Sequence, residues 1–410
     1  MRILLLAPTV PDPHDPRSDT YTLDVLRFLA REHEVTLLAF SVEPVDPLVM
    51  MALEALCVAV QFVPAPDSLG RRLRALKGGA TVDPMYPLER KPDASMRQAV
   101  ADALRLRRIE VIHLADVGMA QFVPTAWEGP VVLDERSERW KRLIRHVEAR
   151  AEHGSGRQRM QRELRHLRAY ETAACRRATV TLAADEAQRA QLEGLVGASW
   201  AVHVVPPSVD VVARQALWRA PHPRAGHVLT VSQRAGLEEQ AGLAWLMHFV
   251  DTQLRLQLPH FRHDIVGGPF RTDLRLEAVE HEEVFLIEDL RSPSAGWESA
   301  TVYLAPPLRH GLAQPGMLEA LAAGVPIVAS SLACEGLPIE HARHALIADT
   351  LEEMAAAVVS LYQEPMFARQ LAAEGHRLVC DRYDVGVASA AMSAAYDHVA
   401  VGDLRCALCS

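Results

Sequence analysis

The chain has 410 residues, 49% of them hydrophobic and 23% charged, with 43 Lys and Arg against 52 Asp and Glu. That length exceeds one ordinary core and sets an expectation of two domains, and the composition is that of a globular protein. A net charge of −9 excludes a generic nucleic-acid binder, which needs a basic face to meet phosphate. The opening "MRILLLAP" reaches a proline too soon for a secretory signal and reads as a first strand. Next, "TYTLDVLRFLAR" repeats its apolar residues with a helical period, and "HEVTLLAF" is a second strand. The longest apolar run, "PLVMMALEALCVAVQFV", carries Glu54 and is too short to span a bilayer comfortably. A cytoplasmic protein is therefore expected.

Further buried strands follow at "VQFV", "EVIHLAD", "PVVLDE", "TVTLAAD" and "HVVP". Strands alternating with helices build a parallel sheet covered on both faces. Between Arg136 and Arg177 the acidic balance reverses, with 13 Lys and Arg against 5 Asp and Glu. This segment reads either as a solvated helical face or as a landing site for an anionic membrane or a phosphorylated acceptor. A second basic cluster, "RRLRALK" from Arg71 to Lys77, lies in the same half.

The alternation pauses at "VVPPSVDVVARQALWRAPHPRAGH", whose prolines and lack of period predict a linker over residues 205 to 226. A second series then runs through "HVLTVS", "HDIVGG", "EVFLIE", "TVYLAP", "PIVASS" and "ALIAD", with a helix at "GLAWLMHFVDTQLRL". From Leu351 onward the pattern is helical. The expected architecture is α/β with two doubly wound, Rossmann-like domains. Their bounds are residues 1–206 and 207–385, and residues 386–410 form a last helix and tail. Six cysteines, mostly in apolar segments, fit a reducing compartment. Cys406 and Cys409 in "CALC" have the spacing of half a zinc site or of a redox pair, but no second CxxC or paired histidine motif accompanies them, so an exposed tail and no metal are expected.

In "HGLAQPGMLEALAAGVPIVASSLAC" one carboxylate, Glu319, stands among apolar and small residues. Burying it unpaired would cost several kcal/mol. Pro315 suits a first helical turn and Gly324 a C-terminal cap, so "PLRHGLAQ" is a loop leaving the carboxyl end of a strand and feeding a helix. Open α/β sheets bind ligands at such ends, and the free N–H groups there attract phosphate. One turn into the helix, Glu319 can accept two hydrogen bonds from a ribose diol. The alternative partner is protein backbone or an arginine such as Arg309.

The stretch "APPLRHGLAQPGMLEALAAGVPIVASSLACEGL", with the later Tyr383–Asp384 pair, is similar to the donor-site signature of family 4 glycosyltransferases of the GT-B fold. The first half matches more loosely, through "LLLAPTVPDPHDPRSDTYTLDVLRFLAREHEVTLLAF" and "YETAACRRATVTLAADEAQ". The resemblance implies two Rossmann-like domains facing each other across a cleft, with a nucleotide-sugar donor bound by the second and an acceptor by the first. It implies a retaining mechanism that uses neither metal nor other cofactor, and a last helix that returns to the first domain. On this resemblance Glu319 matches the ribose-binding glutamate. Gly311, Leu312, Ala313 and Gln314 match the donor-facing loop, with Pro315 and Gly316 at the helix start. Gly268 and Pro269 lie in "VGGPF", the turn near the base. His113 in "VIHLAD" ends a strand facing the cleft and is the catalytic candidate, although a lone histidine also suits a structural place.

Several positions depart from the family pattern. The paired glycines of the N-terminal loop are Arg17 and Ser18 here, and the first glutamate of the pair is Gly311. The phosphate-binding segment offers Arg234 but has Gln240 near the expected lysine, and a basic position before the helix is Gly316. Arg17, Arg234 and Arg309 are the candidates to neutralise a diphosphate in their place. The function read from the sequence is transfer of a sugar to a glycan or lipid-linked acceptor. The alternative is a catalytically degenerate partner of another transferase.

Overall fold

The computed structural model describes residues 1–13, 20–41, 44–65, 93–136, 148, 157–197, 200–215, 226–231, 243, 246–247, 253–258, 261–267, 270–288, 297, 299–305 and 315–407. The chain divides into two compact units, Met1–Pro207 with Ser389–Ser410, and Ser208–Ala388.

Unit 1 is built on a seven-stranded sheet of order β3-β2-β1-β4-β5-β6-β7, every pair parallel. Its strands are β1 Arg2–Ala7, β2 Glu34–Ser41, β3 Ala59–Pro64, β4 Val111–Leu114, β5 Val131–Asp134, β6 Val180–Ala183 and β7 Val202–Val204. The central ones are buried on both faces, which is why they read as continuous apolar runs rather than alternating ones. Helices α1 Thr20–Glu32, α2 Pro47–Glu54, α3 Ala94–Arg107, α4 Arg157–Arg177 and α5 Glu186–Val196 connect them. In α1, Leu23, Leu26 and Leu29 recur on one face and are at most 4% exposed. Aspartates start three of the segments that follow. Asp46 caps α2 through the amide of Leu48, Asp93 caps α3 through Met96, and Asp185 caps α5 through Gln188.

Unit 2 repeats the plan with six parallel strands in the order β10-β9-β8-β11-β12-β13. These are β8 His227–Val231, β9 Arg262–Val266, β10 Val284–Ile287, β11 Val302–Ala305, β12 Ile327–Ala329 and β13 Leu346–Ile347. Its described helices are α6 Val211–Gln215, α7 Thr272–Val279, α8 Pro315–Ala322, α9 Leu351–Gln363 and α10 Pro365–Arg382. A last helix, α11 Val385–Ala407, starts in unit 2 and continues into unit 1. Along it Ala388, Met392, Ala395, Tyr396 and Val399 are buried on one helical face.

Within the stretch expected to be a linker over 205 to 226, the structure describes residues 205–215 and 226. Val205 closes unit 1 by donating to the Ala183 carbonyl, and Val209 pairs with the backbone of Tyr383 and Val385. Asp210 then caps the turn through the amide of Ala213, and α6 follows. Buried Val209 and Val211 hold this stretch against unit 2, outweighing the turn signal of its prolines. The Tyr383–Asp384 pair is the other side of that contact. Asp384 accepts from the amide of Gly386 at 2.9 Å as α11 begins.

Candidate functional site

The helix that carries Glu319 leaves from the carboxyl end of β11, as its proline and apolar spacing predict. Met317, Ala320 and Leu321 face the core and are almost fully buried, while Gly324, at φ +67°, ends the helix in the left-handed conformation that glycine adopts freely. Glu319 is half-buried, and its Oε2 is shut off from solvent. A carboxylate in that position is desolvated without being sealed in the core, which suits an acceptor for a polar ligand.

Gly316 has a separate reason to be glycine. A Cβ there would run into the hydroxyl and ring of Tyr303 on β11. Tyr303 is fully buried, and its ring centroid lies 5.4 Å from that of Trp297. The aromatic pair therefore fills the space beside the first turn of α8 that a longer side chain at position 316 would need.

The ends of β9 and the edge strand β10 are also tied down. Glu288, just beyond β10, accepts from the Phe270 amide at 2.8 Å and from Arg275 Nη2 at 2.6 and 2.8 Å. Arg275 Nε in turn donates to the Phe270 carbonyl at 3.1 Å, so these two side chains fix the end of the turn that leaves β9. Gly267, at φ +151°, opens the turn in a conformation that side chains rarely adopt.

In unit 1 the strand ends are occupied by the protein's own charges. Asp134, at the end of β5 and 0% exposed, accepts from Tyr21 OH at 2.7 and 2.6 Å, from Arg136 Nε at 3.1 Å and from Arg136 Nη2 at 3.0 Å. Arg136 also covers the Tyr21 ring at 3.9 Å and donates through Nη1 to the carbonyls of Val205 and Pro206. His113 on β4 was expected at a strand end open to a ligand. It is instead 0% exposed, with Nδ1 2.8 Å from Tyr396 OH on α11 and Nε2 3.8 Å from Asp134 Oδ2. An Asp–His–Tyr series in an open site would suit proton transfer. Here all three members are buried.

Of the other candidates, Pro315 and Gly316 begin α8 with Glu319 one turn further on. Arg17, Ser18, Arg234, Gln240, Gly268, Pro269, Arg309, Gly311, Leu312, Ala313 and Gln314 lie outside the described residues, as do Arg71 to Lys77, Cys409 and most of 136–156. Cys57, Cys175, Cys334 and Cys380 are free thiols. Burial pushes Cys57 up to about 12, and burial followed by the charge of Asp349 pushes Cys334 up to about 11, so neither is a thiolate nucleophile near neutral pH. Among the described residues there is no cluster of three or more His, Cys, Asp and Glu able to hold a metal, and no helix long and apolar enough to cross a membrane.

Residues 226–364 match the family described as glycosyl transferases group 1. No curated protein matches the chain in sequence. Solved structures match along almost the whole chain. Sucrose-phosphate synthase from Thermosynechococcus elongatus is 16% identical with a TM-score of 0.66, covering 98% of this chain and 100% of its own. Anabaena HepE, solved in complex with UDP-glucose, is 15% identical with a TM-score of 0.63, covering 97% of this chain and 99% of its own. TarM of S. aureus, in a complex that includes UDP, is 8% identical with a TM-score of 0.63, covering 97% and 100%. The chain thus has the GT-B fold of these glycosyltransferases, and the group 1 match falls within unit 2.

Proposed function

We propose that this GT-B protein transfers a sugar from a nucleotide-sugar donor bound by unit 2 to a glycan or lipid-linked acceptor. The observation that carries the reading is Glu319. It is a half-buried carboxylate one turn into a helix that starts at a parallel-strand end, inside the segment that matches glycosyl transferases group 1. On this reading Glu319 accepts both ribose hydroxyls. The free N–H groups of the first turn of α8 face the diphosphate, and Arg17, Arg234 and Arg309 supply the positive charge absent at Gly316. Gly311 to Gln314 bring backbone to the donor, and Gly268 and Pro269 border the base. The resemblance to family 4 glycosyltransferases extends the reading to a retaining transfer independent of metal and cofactor, in which these donors stabilise the charge of the departing diphosphate.

HepE is solved with UDP and with UDP-glucose, which makes UDP the first nucleotide to try. On unit 1, the outer face of α4 presents Arg162, Arg165, His166 and Arg176 to solvent, a surface suited to an anionic acceptor or the headgroups of a membrane. A thermal-shift screen of the full chain with UDP, GDP, dTDP, ADP and their sugar conjugates tests the reading. Stabilisation by one nucleotide and its conjugates is the expected outcome. No shift with any of them at millimolar concentration would favour a degenerate partner protein instead.

A further inference from the structure

The chain passes between the two units twice, once after Pro207 and once before Ser389. Each passage is fastened, on the unit 1 side, to a buried residue that lies beside Asp134. The outgoing strand ends at Val205 and Pro206, whose carbonyls accept from Arg136 Nη1 at 3.1 and 3.3 Å. The returning helix α11 places Tyr396, 4% exposed, with its hydroxyl 2.8 Å from His113 Nδ1. His113 lies on β4 and Arg136 follows the end of β5, so the two are far apart in sequence. What they share is Asp134, which binds Arg136 through both carboxylate oxygens and stands 3.8 Å from His113 Nε2.

The chemistry of this arrangement is directional. A carboxylate facing Nε2 favours a hydrogen on that nitrogen, which leaves Nδ1 as the acceptor for the Tyr396 hydroxyl. Burial, and then the charge of Asp134, hold Tyr396 well above its ordinary range, so its O–H is intact and available to donate. Asp134 thus stands beside the imidazole that receives the returning helix and fixes the pose of the guanidinium that holds the departing strand. It also holds Tyr21 in the first turn of α1. Tyr21 and Arg136 hydrogen-bond this one carboxylate, and Arg136 and His113 link it to the departing and returning segments, in a setting of low dielectric where polar contacts reinforce one another.

We propose that Asp134 is a common anchor for both chain passages, so that loosening one passage loosens the other. Arg136, His113 and Tyr396 are positioning residues in this scheme, and Tyr21 steadies the carboxylate. The inference goes beyond the sugar-transfer reading and does not depend on it.

Amide hydrogen exchange on the full chain tests the coupling. Tyr396→Phe removes a single oxygen from the returning helix and leaves its apolar packing in place. Its expected effect is exchange about threefold or more faster at the Val205 amide, which is bonded to Ala183 in the other passage. The β1 amides Leu4 to Leu6 serve as the control and should not change. Arg136→Lys should do the converse, speeding exchange at Ala395 to Val399. If each variant moves only its own segment, or if Val205 responds only together with β1, the two fastenings are independent and the proposal is wrong. Should Arg136→Lys fail to fold, the Val205 response to Tyr396→Phe decides alone.

Discussion

The two units share a topology but fill it differently. In unit 1 the carboxyl ends of the central strands are closed by the protein's own ions, Asp134 and Arg136, both less than 10% exposed. In unit 2 the corresponding ends are Ala305 on β11, Ala329 followed by Ser330 on β12, and Gly267 after β9. The buried polar groups of that sheet sit further back. His263 donates from Nε2 to Thr230, which passes a hydrogen bond to the Leu304 carbonyl, and Asp264 is held by His227 and Arg262. The contrast teaches where each unit places its polar cost. Unit 1 uses charge to fix its chain passages, whereas the described strand ends β9, β11 and β12 of unit 2 carry small residues, with the half-buried Glu319 in the helix that follows β11, where doubly wound sheets bind ligands.

The largest break in this comparison is expected at Asp134. Asp134→Ala strands a buried guanidinium and should destabilise unit 1 by about 3–5 kcal/mol, read as a shift in the denaturant midpoint. An acid titration probes the matching group in unit 2. Burial is the main reason that His263 is pushed down to about 3 from an ordinary 6.5, with the neighbouring Asp264 opposing and His227 adding to the shift. The unfolded chain then binds the extra proton, so stability is full above pH 6.5 and falls as the pH drops from there toward 3. The slope approaches ~1.4 kcal/mol per pH unit from this site alone. Urea midpoints at pH 7.5 and pH 5 should show the loss, and His263→Leu should flatten it.

Smaller effects follow at the helix termini. Gly316→Ala drives a methyl into Tyr303 and should cost about 1–3 kcal/mol in thermal or urea unfolding, with part recovered by adding Tyr303→Phe. A recovery of nothing would show that the ring rather than the hydroxyl sets the limit. Thr350→Ala removes one half of a capping box with Glu353 at the start of α9 and should cost about 1 kcal/mol.

The fold was legible because its strands are buried runs bounded by turn residues, and all thirteen observed strands lie within or overlap segments that read as strands. Helix α2 was not legible, since "PLVMMALE" has apolar residues on all sides. Val49 and Leu53 are buried while Leu48 and Met51, equally apolar, are 64% and 65% exposed, so the residue types do not mark the buried face. The ordered stretch after Pro207 was missed because its partner, Tyr383–Asp384, lies far along the chain. The same holds for the Asp134 cluster, whose hydrogen bonds join residues 113 positions apart to Tyr21, and 69 and 70 apart from Arg136 to Val205 and Pro206. "VVLDE" gives no sign of them. At the candidate site, Glu319 stood out by its isolation among apolar neighbours. Tyr303 did not, because a tyrosine in a strand is unremarkable until the glycine it touches is known.

Isothermal titration calorimetry of UDP, and of whichever nucleotide stabilises the chain most, against wild type and Glu319→Ala tests the central assignment most directly. The account predicts a folded variant whose affinity is lower by about tenfold or more, the loss expected when charge-assisted hydrogen bonds to a ribose are removed. Equal affinity in wild type and variant would contradict it and remove Glu319 from the donor site.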